Sequence, residues 1–252
     1  MCLALVEIAE AVRDRQPTFL ATETWLDVPF SVTAPSRTQE LFSQAAAIPS
    51  ILQQIDMLPE IFSFENELDL RESIRSLLEV LKRLSTWEIS SGLATTRTPS
   101  SVHDLTLGNF NMSHVSSNAT CFPSISVANG LTHGWAFRIV CLLEIQNILL
   151  RFPNFPGIHD QLAVDLNDDD IQAEADRLVL LICSSMSYLL QDQMKLFGPV
   201  STLFPAQIAY VWFKTDEARY QSGINFVKGV VTQLVQKGLQ SAPLLVFGED
   251  LH

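Results

Sequence analysis

The sequence predicts an all-α fold, an irregular multi-helix bundle around a buried central helix. Three observations carry this. Apolar residues recur at helical spacing in segment after segment. Only 10 glycines and 12 prolines interrupt 252 residues, and they gather between the periodic segments. The run Trp135–Phe152, WAFRIVCLLEIQNILLRF, is the longest strongly apolar stretch and supplies the central helix. With 47% apolar and 17% charged residues there is ample material for a core. We read residues 1–252 as one domain.

The elements follow in order. Residues 2–15 predict a short helix with Leu3, Val6, Ala9 and Arg13 at helical spacing, ended by Pro17. Residues 16–36 hold Pro17, Pro29 and Pro35 and predict an extended connector. Its Trp25, Val28 and Phe30 should lie against the body. Residues 37–58 predict a helix or helix pair. Ser36 is the N-cap, Gln39 completes a capping box, and Pro49 kinks or splits the segment near Ile48. Over 65–89 the stripe Leu70, Ile74, Leu77, Leu78, Leu81 and Leu84 predicts an amphipathic helix with acids early, bases late, and a Glu79–Arg83 pair.

Residues 90–126 are rich in Ser, Thr and Asn, and predict a long mobile surface loop. The central helix follows from about Ser126 to Phe152. One face carries Phe137, Cys141, Ile145, Ile148 and Phe152; Ala136, Val140, Leu143 and Leu150 widen the apolar surface. Pro153 and Pro156-Gly157 end it. A helix starts near Asp168–Asp170 and runs to about Lys195, where Gly198-Pro199 breaks it. Residues 200–215 predict an apolar helix with Pro205 in its first turn. The last helix spans about 217–239, and Pro243 leads into an irregular tail.

Charge and cysteine usage narrow the function. Net charge is −12, so the general surface repels phosphate and should not bind nucleic acid. Cys2, Cys121, Cys141 and Cys183 form no CxxC pair; Cys141 and Cys183 fall in apolar helical runs and read as buried thiols, which suits a reducing compartment. The N-terminus carries Glu7 and Glu10 and no basic region, so it does not read as a signal peptide. The tripeptides at Asn111 and Asn118 that match the glycosylation pattern then read as chance. No span reaches about 20 uninterrupted apolar residues, so no transmembrane helix is expected.

No residue constellation here spells out a catalytic chemistry. The acidic run 160–176 contains Asp160, Asp165, Asp168, Asp169, Asp170, Glu174 and Asp176 and no base. Of these, Asp165, Asp168, Asp169 and Asp170 could chelate Mg²⁺. A helical diphosphate-type site, however, needs an acid four residues beyond an Asp pair, and Ala173 stands four beyond Asp169. Acids at a helix start are explained by capping and the macrodipole. His103, His114, His133, His159 and His252 show no HxxxH or HxxE spacing, and Ser184, Ser185 and Ser187 sit in no nucleophile elbow. Catalytic residues and metal ligands are therefore read as none, and cofactor-binding residues as unknown. Arg138 and Glu144 interrupt the central helix and read as reaching the bundle edge or pairing locally; a buried pair with a function is the sharper alternative. Trp25, Trp87, Trp135 and Trp212 read as core anchors.

Four segments together carry a resemblance. Ala11-Val-Arg-Asp-Arg-Gln-Pro-Thr-Phe-Leu-Ala-Thr-Glu-Thr-Trp-Leu-Asp-Val-Pro-Phe and Ala47-Ile-Pro-Ser-Ile-Leu-Gln-Gln-Ile-Asp come first. Ala136-Phe-Arg-Ile-Val-Cys-Leu-Leu-Glu-Ile-Gln-Asn-Ile-Leu-Leu follows a variable loop. Ile182-Cys-Ser-Ser-Met-Ser-Tyr-Leu-Leu precedes Gly198, Phe204-Pro205 and Ala209. In order and spacing they resemble the regulatory region of fungal zinc-binuclear-cluster transcription factors. The family's six-cysteine DNA-binding module and its basic stretch have no counterpart in this sequence.

The resemblance implies a regulatory domain in the nucleus, often controlling metabolic gene clusters, with no sequence-specific DNA binding of its own. It implies protein partners in the transcription machinery or a homologous factor, a homodimer among them, no cofactor and no membrane. The alternative is a helical small-molecule-binding protein or Mg-dependent enzyme using the 160–176 run.

Overall fold

A computed structural model of the chain describes residues 2–59, 67–90, 120–153 and 168–248, with side chains from 4 and from 170 in the first and last stretches. Among the described residues the ordered elements are helices: α1 (Cys2–Asp14), α2 (Glu23–Leu26), α3 (Arg37–Ala45), α4 (Ile48–Asp56), α5 (Glu67–Ser90), α6 (Ile125–Arg151), α7 (Asp168–Leu189), α8 (Phe197–Ser201), α9 (Leu203–Lys214), α10 (Glu217–Gln236) and α11 (Ala242–Phe247). The all-α class stands. No described helix is long and apolar enough to cross a membrane. The expected loop at 90–126 lies mostly outside the described residues, as do Asp160 and Asp165, four of the five histidines, and Asn111 and Asn118.

The chain divides into two compact units, 1–91 with 140–172, and 92–139 with 173–252. The boundaries fall inside α6 and α7, so each helix contributes to both. In α6, every residue from Ala128 through Leu142 is buried. A helix apolar on all sides has no face to offer water, which is why the longest apolar run takes this place.

In the first unit α3 and α4 pack on α5, and α1 packs on both α3 and α4. Ser36 and Gln39 form the expected reciprocal capping box. Pro49 occupies the first turn of α4, so the segment is split as the sequence predicts. The buried stripe of α5 is Leu70, Ser73, Ile74, Leu77, Val80, Leu84 and Trp87; Leu78 and Leu81 lie half-buried beside it. The Trp87 indole donates to the Arg37 carbonyl at 2.8 Å, tying α5 to the start of α3. Arg83 and Glu79 approach at 3.9 Å.

The connector 16–36 departs from the extended expectation. It winds through a 3-10 turn at Phe19–Ala21, then α2, then a second 3-10 turn at Val28–Phe30. Thr18 caps the first turn, accepting from the Leu20 amide, and Pro29 sits in the first positions of the last. Proline here opens a turn instead of holding the chain straight. Trp25 is not a core anchor: it is 51% exposed, whereas Trp87, Trp135 and Trp212 are buried. Val28 is exposed and Phe30 half-buried.

In the second unit α9 packs on α8, α10 and α11, and α10 packs on α11. The helix predicted to reach Lys195 ends at Leu189. Gly198 explains the early stop: a Cβ there would lie 2.1 Å from the Leu189 carbonyl oxygen and 2.5 Å from the Met194 Cβ. The chain must fold back tightly onto the end of α7 to make that approach. Gly198-Pro199 then sits inside α8, in its first turn, where proline costs no hydrogen bond. Likewise Pro243 starts α11 in place of an irregular tail. On α6 and α9, Leu150 and Val211 turn outward, 74% and 42% exposed.

Two helix ends use the same backbone device with different residues. After α10, the Leu239 amide donates to the Leu234 carbonyl and that of Gly238 to Val235, with Gly238 left-handed at φ 98°. After α1, the Gln16 amide donates to Ala11 and that of Arg15 to Val12, with Arg15 left-handed at φ 52°. Glycine takes this conformation freely; arginine at that position costs about 1 kcal/mol. The Arg15 side chain has to return that cost.

Two glycines of α10 offer a paired test. At Gly229 a Cβ meets nothing within 4 Å, so Gly229→Ala should stabilise by about 0.5–1 kcal/mol. At Gly223 a Cβ would stand 2.6 Å from the Phe213 ring, and Gly223→Ala should destabilise by about 1–3 kcal/mol. Urea unfolding of the two variants checks both signs.

Candidate functional site

The acidic run is where a site would be sought, and its described part is engaged in holding helices together. Glu174 and Asp176 stand two residues apart on α7, about 200° around the helix, so they serve different neighbours. Glu174 takes Arg138 of α6 and a two-pronged grip from Arg177, 2.7 Å from Nε and 2.9 Å from Nη2. Burial would raise its pKa, but the two guanidiniums outweigh that and hold the carboxyl below its ordinary value.

Asp176 accepts from three groups on two helices. Its Oδ1 receives the Trp212 indole N–H at 2.9 Å and the Tyr220 hydroxyl at 2.6 Å. Its Oδ2 receives Arg219 at 2.7 Å. Trp212 and Tyr220 are wholly buried, so their polar atoms need this acceptor. Burial, together with the anionic partner, pushes the Tyr220 phenol well above its usual range.

Of the remaining acids, Asp170 is exposed in the first turn of α7, while the side chains of Asp168 and Asp169 are outside the described set. Among the described residues no three His, Cys, Asp or Glu side chains gather at metal-binding distance.

Arg138 and Glu144 correct the expectation for the central helix. Both are 7% exposed. Neither reaches an edge, and each finds a carboxylate or guanidinium beyond its own helix. Arg138 goes to Glu174. Glu144 receives Arg15 in a fork, 3.0 Å to each carboxylate oxygen, and Arg15 also donates to Asp56 at 2.6 Å and to the Leu52 carbonyl. Burial would lower the Arg15 pKa, yet the two carboxylates keep it above its ordinary value. These bonds offset the left-handed backbone.

Cys121 is an exposed free thiol, while the reactive groups inside the helices are tied down. The Ser184 and Ser185 hydroxyls donate to the Leu181 carbonyl, and Ser184 also bonds Thr120 at 2.9 Å. Cys141 and Cys183 are buried thiols, as the sequence predicts, and burial pushes Cys183 up beyond the range in which a thiolate forms. His133 is buried between Phe137 and Phe204, stacked on Phe204 at 5.8 Å, and its Nδ1 meets the Asn129 carbonyl at 2.9 Å. Burial lowers its pKa to about 4 despite that bond. All of these side chains are buried, and burial denies them the access that nucleophilic catalysis needs.

Sequence reading placed Asp176 in the acidic run but did not single out Tyr220, Arg219 or Arg15. The available signal was spacing: two acids two apart on a helix must face two environments.

Removing the Asp176 acceptor should cost more than removing one donor. Asp176→Leu is expected to lose about 2–4 kcal/mol, with Tyr220→Phe losing about 1 kcal/mol, in denaturant unfolding. The His133 sign follows from linkage. Its folded pKa of about 4 lies below the unfolded 6.5, so the unfolded state binds more protons between those values. Stability should be flat above pH 6.5 and fall by about 3 kcal/mol on acidification to pH 4. His133→Phe should remove most of that slope; the Glu174 contribution, a depressed carboxyl, is lost only below its ordinary pKa of 4.5.

No protein-family model, curated protein or solved structure matches this chain.

Proposed function

We propose that the chain is a regulatory, protein-interacting domain acting in fungal transcription, located in the nucleus and working through protein contacts with the transcription machinery or a homologous factor. The resemblance lies with the regulatory region of that family, and the targets proposed here are genes of a metabolic cluster. The observation that carries this reading is the ordered set of four segments resembling the regulatory region of zinc-binuclear-cluster factors. Three of them supply much of the buried interior: Ile48, Ile51, Leu52 and Ile55 in α4; Phe137, Ile139, Cys141 and Ile145 in α6; Ile182, Cys183, Met186 and Leu189 in α7. A resemblance of this kind concerns how a domain is built, and build is what these residues determine.

Charge agrees with a protein-facing role. A net charge of −12 disfavours phosphate backbones and leaves peptide surfaces as the natural partners. The metal-dependent reading has less support, because Glu174 and Asp176 already serve arginines, an indole and a phenol.

Deleting the gene in its fungal host and overexpressing it should move the transcripts of one set of metabolic genes in opposite directions, and a fluorescent fusion should concentrate in the nucleus. Transcript profiles unchanged in both strains, with the protein demonstrably present, would sink the proposal.

A further inference from the structure

The least expected surface of the first unit is the connector between α1 and α3. Phe19 and Trp25 are each 51% exposed and meet edge to face with ring centroids 5.3 Å apart. Val28 and Val32 add apolar area at 63% and 93% exposure. Large apolar side chains are left in water singly as a matter of course; here a tryptophan and a phenylalanine in ring contact form a patch, with two more exposed valines in the same fourteen residues.

This patch is built on a closed backbone. Thr18 caps the first turn, and successive amides of Thr22, Trp25, Leu26, Asp27, Phe30 and Ser31 donate to carbonyls three or four residues back. The Thr22 and Ser31 hydroxyls donate to the Phe19 and Val28 carbonyls at 2.8 Å each. Thr18 bonds Glu7 of α1, which fastens the connector's start to a helix. Rings held this way lose little further freedom when a partner covers them.

The chemistry around the rings selects the partner. From Gln16 to Ser36 the chain has two acids, Glu23 and Asp27, both exposed, and no lysine or arginine. The carboxylates stand one turn apart on α2 and its C-cap. Exposed aromatic faces attract ammonium and guanidinium groups, and neighbouring carboxylates add to that attraction. A second copy of the same acidic patch would bring like charges together, and an anionic lipid surface would be repelled.

We propose that Phe19, Trp25 and Val28, with Glu23 and Asp27, form a docking surface for a basic amphipathic segment of another protein. Its apolar face covers the rings, and its lysines or arginines reach the two carboxylates. This deepens the reading of the chain as an interaction domain and rests on it for a biological role. The surface itself is testable with the purified full chain alone.

The probe is a synthetic amphipathic helix of leucine and lysine, about four turns long, with a leucine–glutamate counterpart as control. Of the four tryptophans only Trp25 is exposed, so bound peptide should shift the emission to the blue. Calorimetry should give saturable binding to the lysine peptide and none to the glutamate peptide. Trp25→Ala should weaken binding by roughly tenfold or more. The Glu23→Gln, Asp27→Asn double variant should weaken it several-fold and flatten its salt dependence. Circular dichroism should show both variants folded, since the altered side chains lie at the surface.

Equal affinity in Trp25→Ala overturns the proposal. So does a Trp25-dependent blue shift on neutral phosphatidylcholine vesicles, which would assign the patch to lipid. A dimer in sedimentation that Trp25→Ala dissolves would assign it to a second copy. If the peptide binds as expected while gene deletion leaves transcription unchanged, the surface stands and the regulatory reading falls.

Discussion

A charge carried into a protein interior must meet its opposite there, and that rule organises this molecule. The helix Ile125–Arg151 buries an arginine and a glutamate six residues apart, and each is answered from far along the chain. Arg138 finds Glu174; Glu144 finds Arg15. Losing either partner would strand an ion in an apolar surround, which costs far more than the pair itself contributes. The pairs therefore act less as glue than as a registration device. They permit only those arrangements of helices in which guanidinium and carboxylate coincide.

The composition makes this choice consequential. With 16 basic residues against 28 acidic ones, cations are the scarce partner. Arginine is the residue used at Glu144, Glu174 and Asp176, and its planar fork suits both oxygens of a carboxylate at once. Even a left-handed backbone is tolerated at Arg15 for the sake of its side chain, where the corresponding helix end near residue 238 uses glycine. These carboxylates are thereby matched, and the hydroxyls of Ser184 and Ser185 and the thiols of Cys141 and Cys183 are bonded to their own helix or buried. The connector with Trp25, by contrast, turns its rings outward.

Much of the fold was legible. The capping box at Ser36, the split at Pro49 and the buried run after Trp135 each depend on neighbours within a turn or two, and local sequence states them directly. The misjudged parts depend on distance. Gly198 and Pro199 read as a breaker, yet the end of the preceding helix is set by how closely Gly198 approaches Leu189, which no spacing rule contains. Pro29 and Pro243 read as interruptions and instead open turns, because proline is equally at home in both places. Trp25 read as core because tryptophan usually is. Arg138 and Glu144 read as local because their partners lie 36 and 129 residues away. For the site, local pattern located the acids but not their donors, since indole, phenol and guanidinium come from helices the pattern treats separately.

The interleaving of the two units bears on how the chain is made. Residues 92–139 of the second unit are translated before residues 140–172 complete the first. Arg15 emerges early from the ribosome and waits for Glu144, more than half the chain later. Neither unit is a contiguous stretch that can close behind the other as synthesis proceeds, so the usual order of one domain after the next is denied to it. The first unit is complete only when the second half of the long helix has been made. No single cut in the sequence separates one unit intact from the other.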